Sequence, residues 1–337
     1  MDTRLDTARQ QDNDQAIETI QEANDLFRNP PTVAVYEKKL VLAFIIIPFA
    51  IAGALIRIGL QRLETYAGSP VFGLVYAQWL GCLIMGVVTL HKNNLFLFYH
   101  PLQVGLATGL CGSITTFSSW QYGIFGGFAN IDGAAHTRGK NVLAGLSECL
   151  VTLAMAFSGY HLGHHIARLL EHIGLFSPLL RRFLDQQNVT VSTTNDKSVE
   201  TDSSKDLSNR PVPKVVPCGF AASGLNRIDC LVIGFGALSW VGVVLAAVFS
   251  PDDQRELALT CVFAPVGALL RWYLSFFNGA IRKDIFVGTL AANTFGTLVL
   301  AVIYSVRFGV YLPPVSCSVL AALADGFCGN TDTARKN

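Results

Sequence analysis

The chain has 337 residues, of which 51% are apolar and only 15% are charged, and its mean hydropathy is +0.42. Soluble proteins average about a quarter charged residues, so this composition indicates an integral membrane protein with the lipid bilayer as its main partner. The formal net charge of +1 gives no electrostatic reason to expect a nucleic-acid partner. The eight cysteines have no metal-ligand spacing and mostly lie in apolar stretches, so neither disulfides nor redox chemistry is expected.

Residues 1–39 are polar and have no sustained apolar face. They are predicted to form a disordered arm, with a regulatory segment as the alternative. A cleavable signal peptide is not expected, because the first apolar run begins only near Leu40 and no small-residue cleavage site follows it.

Apolar segments of about 20 residues, the length that a bilayer requires, recur along the rest of the chain. Residues 40–170 contain four of them, at 40–60, 71–90, 102–130 and 142–162. Residues 171–228 are a polar linker, and residues 229–250 contain one further segment, at 230–250. Residues 251–337 contain segments at 257–277 and 285–306 and the start of another at 311.

An internal repeat accounts for this order. The matching positions are separated by an offset that stays between 214 and 217. The matched pairs are Gly53 with Gly267, Arg57 with Arg271, Gly73 with Gly288, Gly81 with Gly296, Gly109 with Gly326, and Gly112 with Gly329. Four segments plus one linking segment return the chain on the opposite face of the membrane. The sequence therefore predicts an all-α membrane protein of two inverted four-helix repeats joined by a linking transmembrane helix.

Charge bias predicts the orientation, because cytoplasmic loops are rich in Lys and Arg close to the membrane. Basic residues are more frequent on the faces that the N-terminus and the linker share than on the opposite faces. The first group is Lys38, Lys39, Lys92, Arg168, Arg181, Arg182, Arg282 and Lys283, and the second is Arg62, Arg138, Lys140, Arg255 and Arg307. The N-terminus and the linker are therefore expected to be cytoplasmic.

The third segment differs from an ordinary membrane helix. Its 29 residues, 102–130, contain no charged side chain, yet its centre at 109–120 holds two glycines and five Ser or Thr residues. These residues weaken helix preference, and an irregular backbone at membrane depth is tolerated only where it meets protein, an ion or water. We therefore expect a helix break at Gly109 and Gly112, with Gly326 and Gly329 as its counterparts, lining a pore or an ion site.

The residues Gly112-Ser-Ile-Thr-Thr-Phe-Ser-Ser-Trp120 resemble the Gly-Gly-x-Thr-Thr-Phe-Ser-Thr-Phe motif of the Fluc or CrcB fluoride channels. The two-repeat plan is similar to that of their fused eukaryotic relatives, the fluoride exporters of the FEX type. The resemblance covers nearly all membrane segments, from about residue 40 to 329. It implies a passive, fluoride-selective channel that exports fluoride across the plasma membrane as one fused chain, without enzyme chemistry. The sequence contains no phosphate-binding loop of the Gly-xxxx-Gly-Lys-Ser/Thr type.

A pore for a small, strongly hydrated anion requires fixed neutral donors that replace water without binding the ion too tightly. Asn293 matches the family's second-segment Asn and supplies amide N–H groups, while Thr115, Thr116 and Ser118 supply hydroxyls. The resemblance assigns Phe117 a ring-edge contact with the anion. The alternatives are that Asn293 only joins helices and that Phe117 only packs in the core.

Other candidate positions match the family less closely. Trp120 stands where the motif has its second Phe, and Ser147 loosely matches a polar position of the fourth segment. At the place equivalent to Asn293 the first repeat has Gln78 followed by Trp79, whose indole is expected to plug one of two paths. One pore is therefore predicted to be vestigial.

Two arginines, Arg57 and Arg271, lie where a first segment of each repeat ends. They could line a vestibule or interface of the pore, or they could extend along the helix so that the charge reaches the headgroups. The sequence alone does not decide between these alternatives.

The resemblance also implies a structural sodium ion, held by backbone carbonyls at the break in the paired third segments. Here those carbonyls belong to the stretch from Gly112 to Thr115 and to residues 329–332 of the second repeat. After Gly329 the family pattern continues with Thr-Thr and an aromatic residue, whereas this chain reads Asn-Thr-Asp-Thr. The second repeat is therefore expected to be truncated in its third helix, and no cofactor is required.

Two other classes of function remain open at this point. A proton-coupled small-molecule transporter would use Glu148 with His161, His164 and His165, although solvated histidines at a membrane edge are the simpler interpretation. A membrane scaffold that transports nothing would need only the packing glycines.

Overall fold

Helices form nearly all of the structure, a computed structural model that describes residues 39–64, 66, 71–131, 133, 137–173, 227–278, 286–311 and 313–328. The α-helices are α1 (Lys39–Glu64), α2 (Val75–Leu90), α3 (Lys92–Val104), α4 (Gly112–Ile114), α5 (Phe117–Ala129), α6 (Arg138–His172), α7 (Arg227–Phe249), α8 (Asp252–Ser275), α9 (Val287–Gly309) and α10 (Pro314–Leu323). Two π-helical segments, π1 (Gly105–Cys111) and π2 (Ala324–Cys328), complete them. The predicted arm, most of the linker and the predicted truncation lie outside the described residues.

Five helices are long and apolar enough to cross a membrane. They are Lys39–Glu64, Arg138–His172, Arg227–Phe249, Gln254–Ser275 and Val287–Arg307. Two shorter apolar helices, Val75–Leu90 and Val315–Phe327, accompany them. The described part of the chain has no β-strand. The prediction of an all-α membrane protein is therefore confirmed.

Three boundaries differ from the count of apolar segments. Helix α2 begins at Val75 rather than at residue 71, after a turn in which the Val75 amide donates to the Phe72 carbonyl. Residues 92–101, which no apolar segment included, belong to α3, which is kinked at Tyr99 (φ −165°, ψ 100°). Helix α6 has 35 residues, about 52 Å at 1.5 Å per residue, so it extends well beyond a 30 Å hydrocarbon core. Hydropathy detects apolar residues only, and polar ends of helices escape it.

Matching contacts recur in the two repeats. A Cβ built on Gly53 of α1 would lie 2.6 Å from the Leu110 carbonyl oxygen, and one on Gly267 of α8 would lie 2.8 Å from the Phe327 carbonyl oxygen. Both glycines therefore allow a π-helical segment to approach the first helix of its own repeat closely. The opposite orientation of the two repeats stays a prediction.

Glycines on the π-helical segments make the reciprocal contacts. A Cβ on Gly109 of π1 or on Gly326 of π2 would lie 2.8 Å from the Cβ of Phe49 or of Phe263, respectively. The two phenylalanines are themselves 214 residues apart. This agreement supports the internal repeat that the glycine spacing predicts.

Helices α1 and α8 pack against each other at the centre of the described structure. Ile46 and Ala50 of α1 are buried in one cluster with Ala268 of α8. Helix α7, in contrast, has many exposed large apolar residues, among them Leu231, Leu238 and Phe249. Because α7 carries a membrane-spanning apolar surface with little of it covered by protein, it is placed to face lipid.

Candidate functional site

The third segment is interrupted, but at Thr115 and Thr116 rather than at the predicted Gly109 and Gly112, which are both helical. The π-helical turn π1 leads into the short helix α4, and the backbone is then extended at Thr115 (φ −83°, ψ 146°) and Thr116 (φ −142°, ψ 127°). Helix α5 starts at Phe117, and the hydroxyl of Thr116 accepts from the Ser119 amide at 3.4 Å as its N-cap. Polar groups at membrane depth must be satisfied, so the partners of this break decide what it lines.

Gln78 of α2 holds the backbone at the break. Its Oε1 accepts from the Thr116 amide at 3.3 Å, and its Nε2 donates to the Thr116 carbonyl at 2.6 Å. The Thr115 hydroxyl donates to the Cys111 carbonyl at 2.9 Å. One amide side chain thus satisfies both polar groups of an extended residue. The sequence alone indicates only that Gln78 replaces, in the first repeat, the residue equivalent to Asn293.

Each arginine reaches the third segment of the other repeat. Arg271 of α8 donates through Nη1 to the Gly112 carbonyl at 2.5 Å. Arg57 of α1 donates through Nη2 to the Asp325 carbonyl of π2 at 2.5 Å. Arg57 is only 2% exposed, so it does not extend along the helix toward the headgroups. The structure places both arginines at the interface between the repeats.

A cavity of about 310 Å³ lies beside the break. It gathers six of the predicted site residues with five that the sequence analysis did not assign to the site. The predicted ones are Thr115, Thr116, Phe117, Trp120, Arg271 and Asn293, and the others are Gln78, Thr152, Leu153, Ala156 and Thr289. Asn293 and Phe117, which are 176 positions apart in the chain, therefore border one space.

Packing between α5 and α9 positions these two residues relative to each other. The rings of Tyr122 and Tyr304 stack with centroids 4.2 Å apart and an interplanar angle of 11°. Ser118 is buried on the same side, since a Cβ built on Gly296 would lie 2.9 Å from its Oγ. Ser118 thus contacts α9 and is not among the residues that line the cavity.

Two other predicted positions lie apart from the cavity. Ser147 is half-buried on α6 and does not line it, whereas Thr152, five residues further along α6, does. Trp79 also does not line it, and a Cβ built on Gly159 of α6 would lie 3.2 Å from the Trp79 Cδ1 atom. Gln78 shares the cavity with Asn293, and the vestigial second pore stays a prediction. Gly329 lies outside the described residues.

The lining favours an anion. Arg271 contributes a positive charge, and no Asp or Glu is among the lining residues of the described structure. Trp120 Nε1 and Thr152 Oγ1 are buried polar atoms without a hydrogen-bond partner in the part of the chain that the structure describes. The first turn of α5 also faces the cavity, and the N-terminus of a helix carries a partial positive charge. Arg271 and this helix terminus can attract a negatively charged ligand, and the two unpaired donors lie buried in residues that line the cavity.

The aromatic pair offers ring edges to the same space. Phe117 and Trp120 have centroids 5.8 Å apart and an interplanar angle of 77°, an edge-to-face arrangement. Phe117 is 37% exposed, so it is not enclosed by core packing. The positive edge of an aromatic ring attracts anions weakly, which suits a ligand that must also leave.

Glu148 faces away from the cavity. A Cβ built on Gly123 of α5 would lie 2.5 Å from its Oε1, so this carboxyl group packs against α5. His161 and His165 are exposed and His164 is half-buried. Within the described ranges no three His, Cys, Asp or Glu residues are grouped so that they could hold a metal ion.

Comparison with known proteins identifies the family. The model of the family described as "CrcB-like protein, Camphor Resistance (CrcB)" matches residues 44–160 and 258–334, more than half of the chain. This chain belongs to the CrcB-like family. The two matched regions correspond to the two predicted repeats and leave out the linker and all of α7.

Several curated relatives of this CrcB-like chain have descriptive names. "Fluoride export protein 1" of Neurospora crassa is 28% identical over an alignment of 338 positions, gaps included. The alignment covers 83% of this chain and 57% of that protein. The Candida albicans protein of the same name is 26% identical, over 84% of this chain and 68% of its own length. "Fluoride-specific ion channel FluC 1" of Staphylococcus epidermidis is 39% identical over 70 residues, covering 21% of this chain and 57% of the relative. The chain thus spans little more than half the length of its Neurospora relative. No solved structure matches it.

The sodium ion that the resemblance implies can be compared with the donors present. In the CrcB-like motif of this chain the Gly112 carbonyl already accepts from a guanidinium, that of Arg271. The Asp325 carbonyl of π2 accepts from Arg57 in the same way. Of the predicted sodium ligands, the Gly112 carbonyl does not fit, because a guanidinium already binds it; the Asp325 carbonyl was not among those ligands. Residues 329–332 lie outside the described structure.

Proposed function

We propose that this chain is a passive, fluoride-selective membrane channel that exports fluoride from the cytosol. The observation that carries the proposal is the shared cavity, where Asn293, Phe117 and Arg271 meet without a carboxylate among the lining residues of the described structure. The choice of fluoride among anions is supported by the names of the Neurospora and Staphylococcus relatives, a fluoride export protein and a fluoride-specific ion channel.

Donors of moderate strength suit this ion. Fluoride loses its water only where other donors replace it, and the Asn293 amide, the Thr152 hydroxyl and the Trp120 N–H would be such donors. The charge of Arg271 is partly engaged by the Gly112 carbonyl, so it attracts an anion without holding it alone. Transport then needs no enzyme chemistry, because the membrane potential supplies about 2.3 kcal/mol per 100 mV for each charge.

The proposal includes a location. A multi-pass protein of the plasma membrane, with the N-terminus and the linker in the cytosol, would release fluoride to the outside. One chain with both repeats would form the channel. An epitope at the N-terminus should bind antibody only after intact cells are permeabilised, and staining of intact cells would contradict this orientation.

Purified protein in liposomes tests the function directly. Liposomes loaded with potassium fluoride would be treated with valinomycin, and a fluoride electrode would follow efflux with and without an equal concentration of chloride. We expect rapid efflux that chloride does not slow, and none from protein-free liposomes. Efflux of chloride at a comparable rate, or no fluoride efflux, would refute the proposal.

The Glu148→Gln variant separates a channel from a proton-coupled transporter. Glu148 packs against Gly123 of α5 and does not line the cavity, so a channel should keep its fluoride efflux. A transporter that relays protons through this carboxyl group should lose its transport. The same liposome assay, run with and without a pH gradient, distinguishes the two.

A further inference from the structure

The break in the third segment releases carbonyls from the helix, among them that of Gly112. In an unbroken helix the Gly112 carbonyl would accept from the amide of residue 116. The Thr116 amide instead donates to Gln78 Oε1 at 3.3 Å, since Thr115 and Thr116 are extended. A carbonyl left without a donor at membrane depth must find another partner or bind a cation. The Gly112 carbonyl has a partner, the guanidinium of Arg271.

The fit between these two residues is close. A Cβ built on Gly112 would lie 2.8 Å from Arg271 Nη1, so the guanidinium packs on the bare backbone of the glycine. Any larger side chain at position 112 would displace it. The contact crosses between repeats, and the reciprocal contact of Arg57 with the Asp325 carbonyl occupies π2. An arginine therefore binds a carbonyl of the third segment in both halves.

We propose that Arg271 is the resident cation of this helix break, so that the chain folds and conducts without a bound sodium ion. The guanidinium supplies the positive charge and the hydrogen-bond donors that the carbonyl requires. A sodium ion on the same oxygen would lie within a few ångströms of the guanidinium and be repelled by it. The cation is thus part of the covalent chain and cannot dissociate.

This assignment also explains why one arginine both binds backbone and lines the cavity. Arg271 is among the residues that border the cavity with Asn293 and Phe117. Its fixed charge therefore keeps the anion path electropositive whatever the sodium concentration on either side of the membrane.

Thermal unfolding of the purified chain tests the inference independently of transport. The midpoint would be measured in sodium chloride and in N-methyl-D-glucamine chloride at equal ionic strength. A ligand that binds only the folded state raises the midpoint as its concentration rises. We expect equal midpoints for the unaltered chain in both salts. A higher midpoint in sodium would overturn the proposal.

The Arg271→Met variant provides the converse test. It removes the guanidinium and leaves the Gly112 carbonyl to a solute cation, so we expect a lower midpoint that sodium partly restores. A lower midpoint with no response to sodium would mean that the arginine does not stand in for the ion. Arg255→Met is the matched control, because Arg255 donates to the Ser250 carbonyl at 3.4 Å outside the break. If Arg271→Met does not fold, the unfolding midpoints of the unaltered chain in the two salts still decide whether a sodium ion stabilises the fold.

Fluoride efflux adds an arm that rests on the proposed function. The unaltered chain should release fluoride at the same rate with sodium or N-methyl-D-glucamine on both sides of the membrane. A rate that requires sodium would contradict the inference while leaving the channel proposal intact. No efflux in either salt would refute the channel and leave the unfolding result to judge Arg271.

Discussion

Gln78 binds both the amide and the carbonyl of Thr116, and in doing so it holds the only two extended residues between π1 and α5 in the described structure. Gln78 lies on α2, whereas Thr116 lies 38 positions further along the chain, immediately before α5. Because Thr116, Phe117 and Trp120 all border the cavity, the shape of the site depends on this pairing. The amide of Gln78 is therefore a positioning group for the residues that follow the break.

The Gln78→Leu variant should lose stability and transport together. Leucine is similar in size but satisfies neither polar group of Thr116, and each buried group left unpaired costs about 1 to 3 kcal/mol. We expect a lower midpoint of thermal unfolding and a marked decrease in fluoride efflux from liposomes. Gln103→Leu on α3 is the control, since Gln103 does not line the cavity, and it should change neither measurement. Unchanged stability of Gln78→Leu would show that the break does not need this pairing.

That the third segment is interrupted was predictable from the sequence, but its position at Thr115 and Thr116 and its partners were not. Glycines with a run of Ser and Thr inside an uncharged segment indicate a loosened helix wherever they occur in a membrane protein. That Gln78 of α2 and Arg271 of α8 satisfy it depends on which helix faces meet. Those faces are set by packing between residues that are 38 and 159 positions apart.

The same distinction explains the outcome for the other predicted residues. The spacing of apolar residues places both ends of α1, α7, α8 and α9 to within about five residues. It places the start of α6 equally well but misses its C-terminal end, which extends to His172. The sequence does not predict Thr152 as a site residue, because a lone threonine within an apolar helix has no sequence signal of its own. It predicts Ser147 instead, through a loose match to a polar position of the family's fourth segment. Only the position of α6 against the break shows that Thr152 borders the cavity. The roles of all these residues in transport stay predictions.

Two glycines of α1 should respond to alanine in opposite directions. A Cβ on Gly53 would lie 2.6 Å from the Leu110 carbonyl oxygen and 2.8 Å from the Ser113 Cβ. Gly53→Ala should therefore destabilise the protein by about 1 to 3 kcal/mol through overpacking. Gly59, on the same helix, has nothing within 4 Å of a built Cβ. Gly59→Ala should stabilise the helix by up to about 1 kcal/mol, because alanine prefers helices.

Unfolding midpoints of the two alanine variants, measured in one detergent, provide the comparison. A loss of stability in both variants would point to lipid-facing effects rather than to the contact with π1. Gly267→Ala on α8 extends the test to the second repeat, since its built Cβ would lie 2.8 Å from the Phe327 carbonyl oxygen. It should behave like Gly53→Ala if the repeat contacts are equivalent.

The Asn293→Asp variant should abolish fluoride efflux. It replaces an amide donor on the cavity by a carboxylate of the same size, and two like charges about 4 Å apart repel by about 4 kcal/mol near a protein surface. The new carboxylate could also pair with Arg271, which lines the same cavity and would then no longer attract an anion. Either effect should decrease the efflux rate by about a hundredfold or more, since 1.4 kcal/mol corresponds to a factor of ten.

Asn93→Asp is the matched control for this charge change. Asn93 is exposed in the first turn of α3, outside the cavity, where a negative charge is favourable at the N-terminus of a helix. It should conduct like the unaltered chain. If Asn293→Asp unfolds at the same midpoint and still conducts, Asn293 does not border the ion path.

The Trp120→Phe variant tests whether the indole N–H donates to the ion. Phenylalanine stands at this place in the family's motif, so it should pack there, but it lacks the donor that Trp120 Nε1 directs into buried space without a protein partner in the described residues. A hydrogen bond to a charged group contributes about 1.5 to 3 kcal/mol, so we expect efflux to slow by about tenfold or more. Trp240→Phe is the control, because the Trp240 Nε1 donates to the Val262 carbonyl at 3.3 Å, away from the cavity. Efflux from Trp120→Phe as fast as from Trp240→Phe would mean that the ring alone, through its edge, serves the ion at this position.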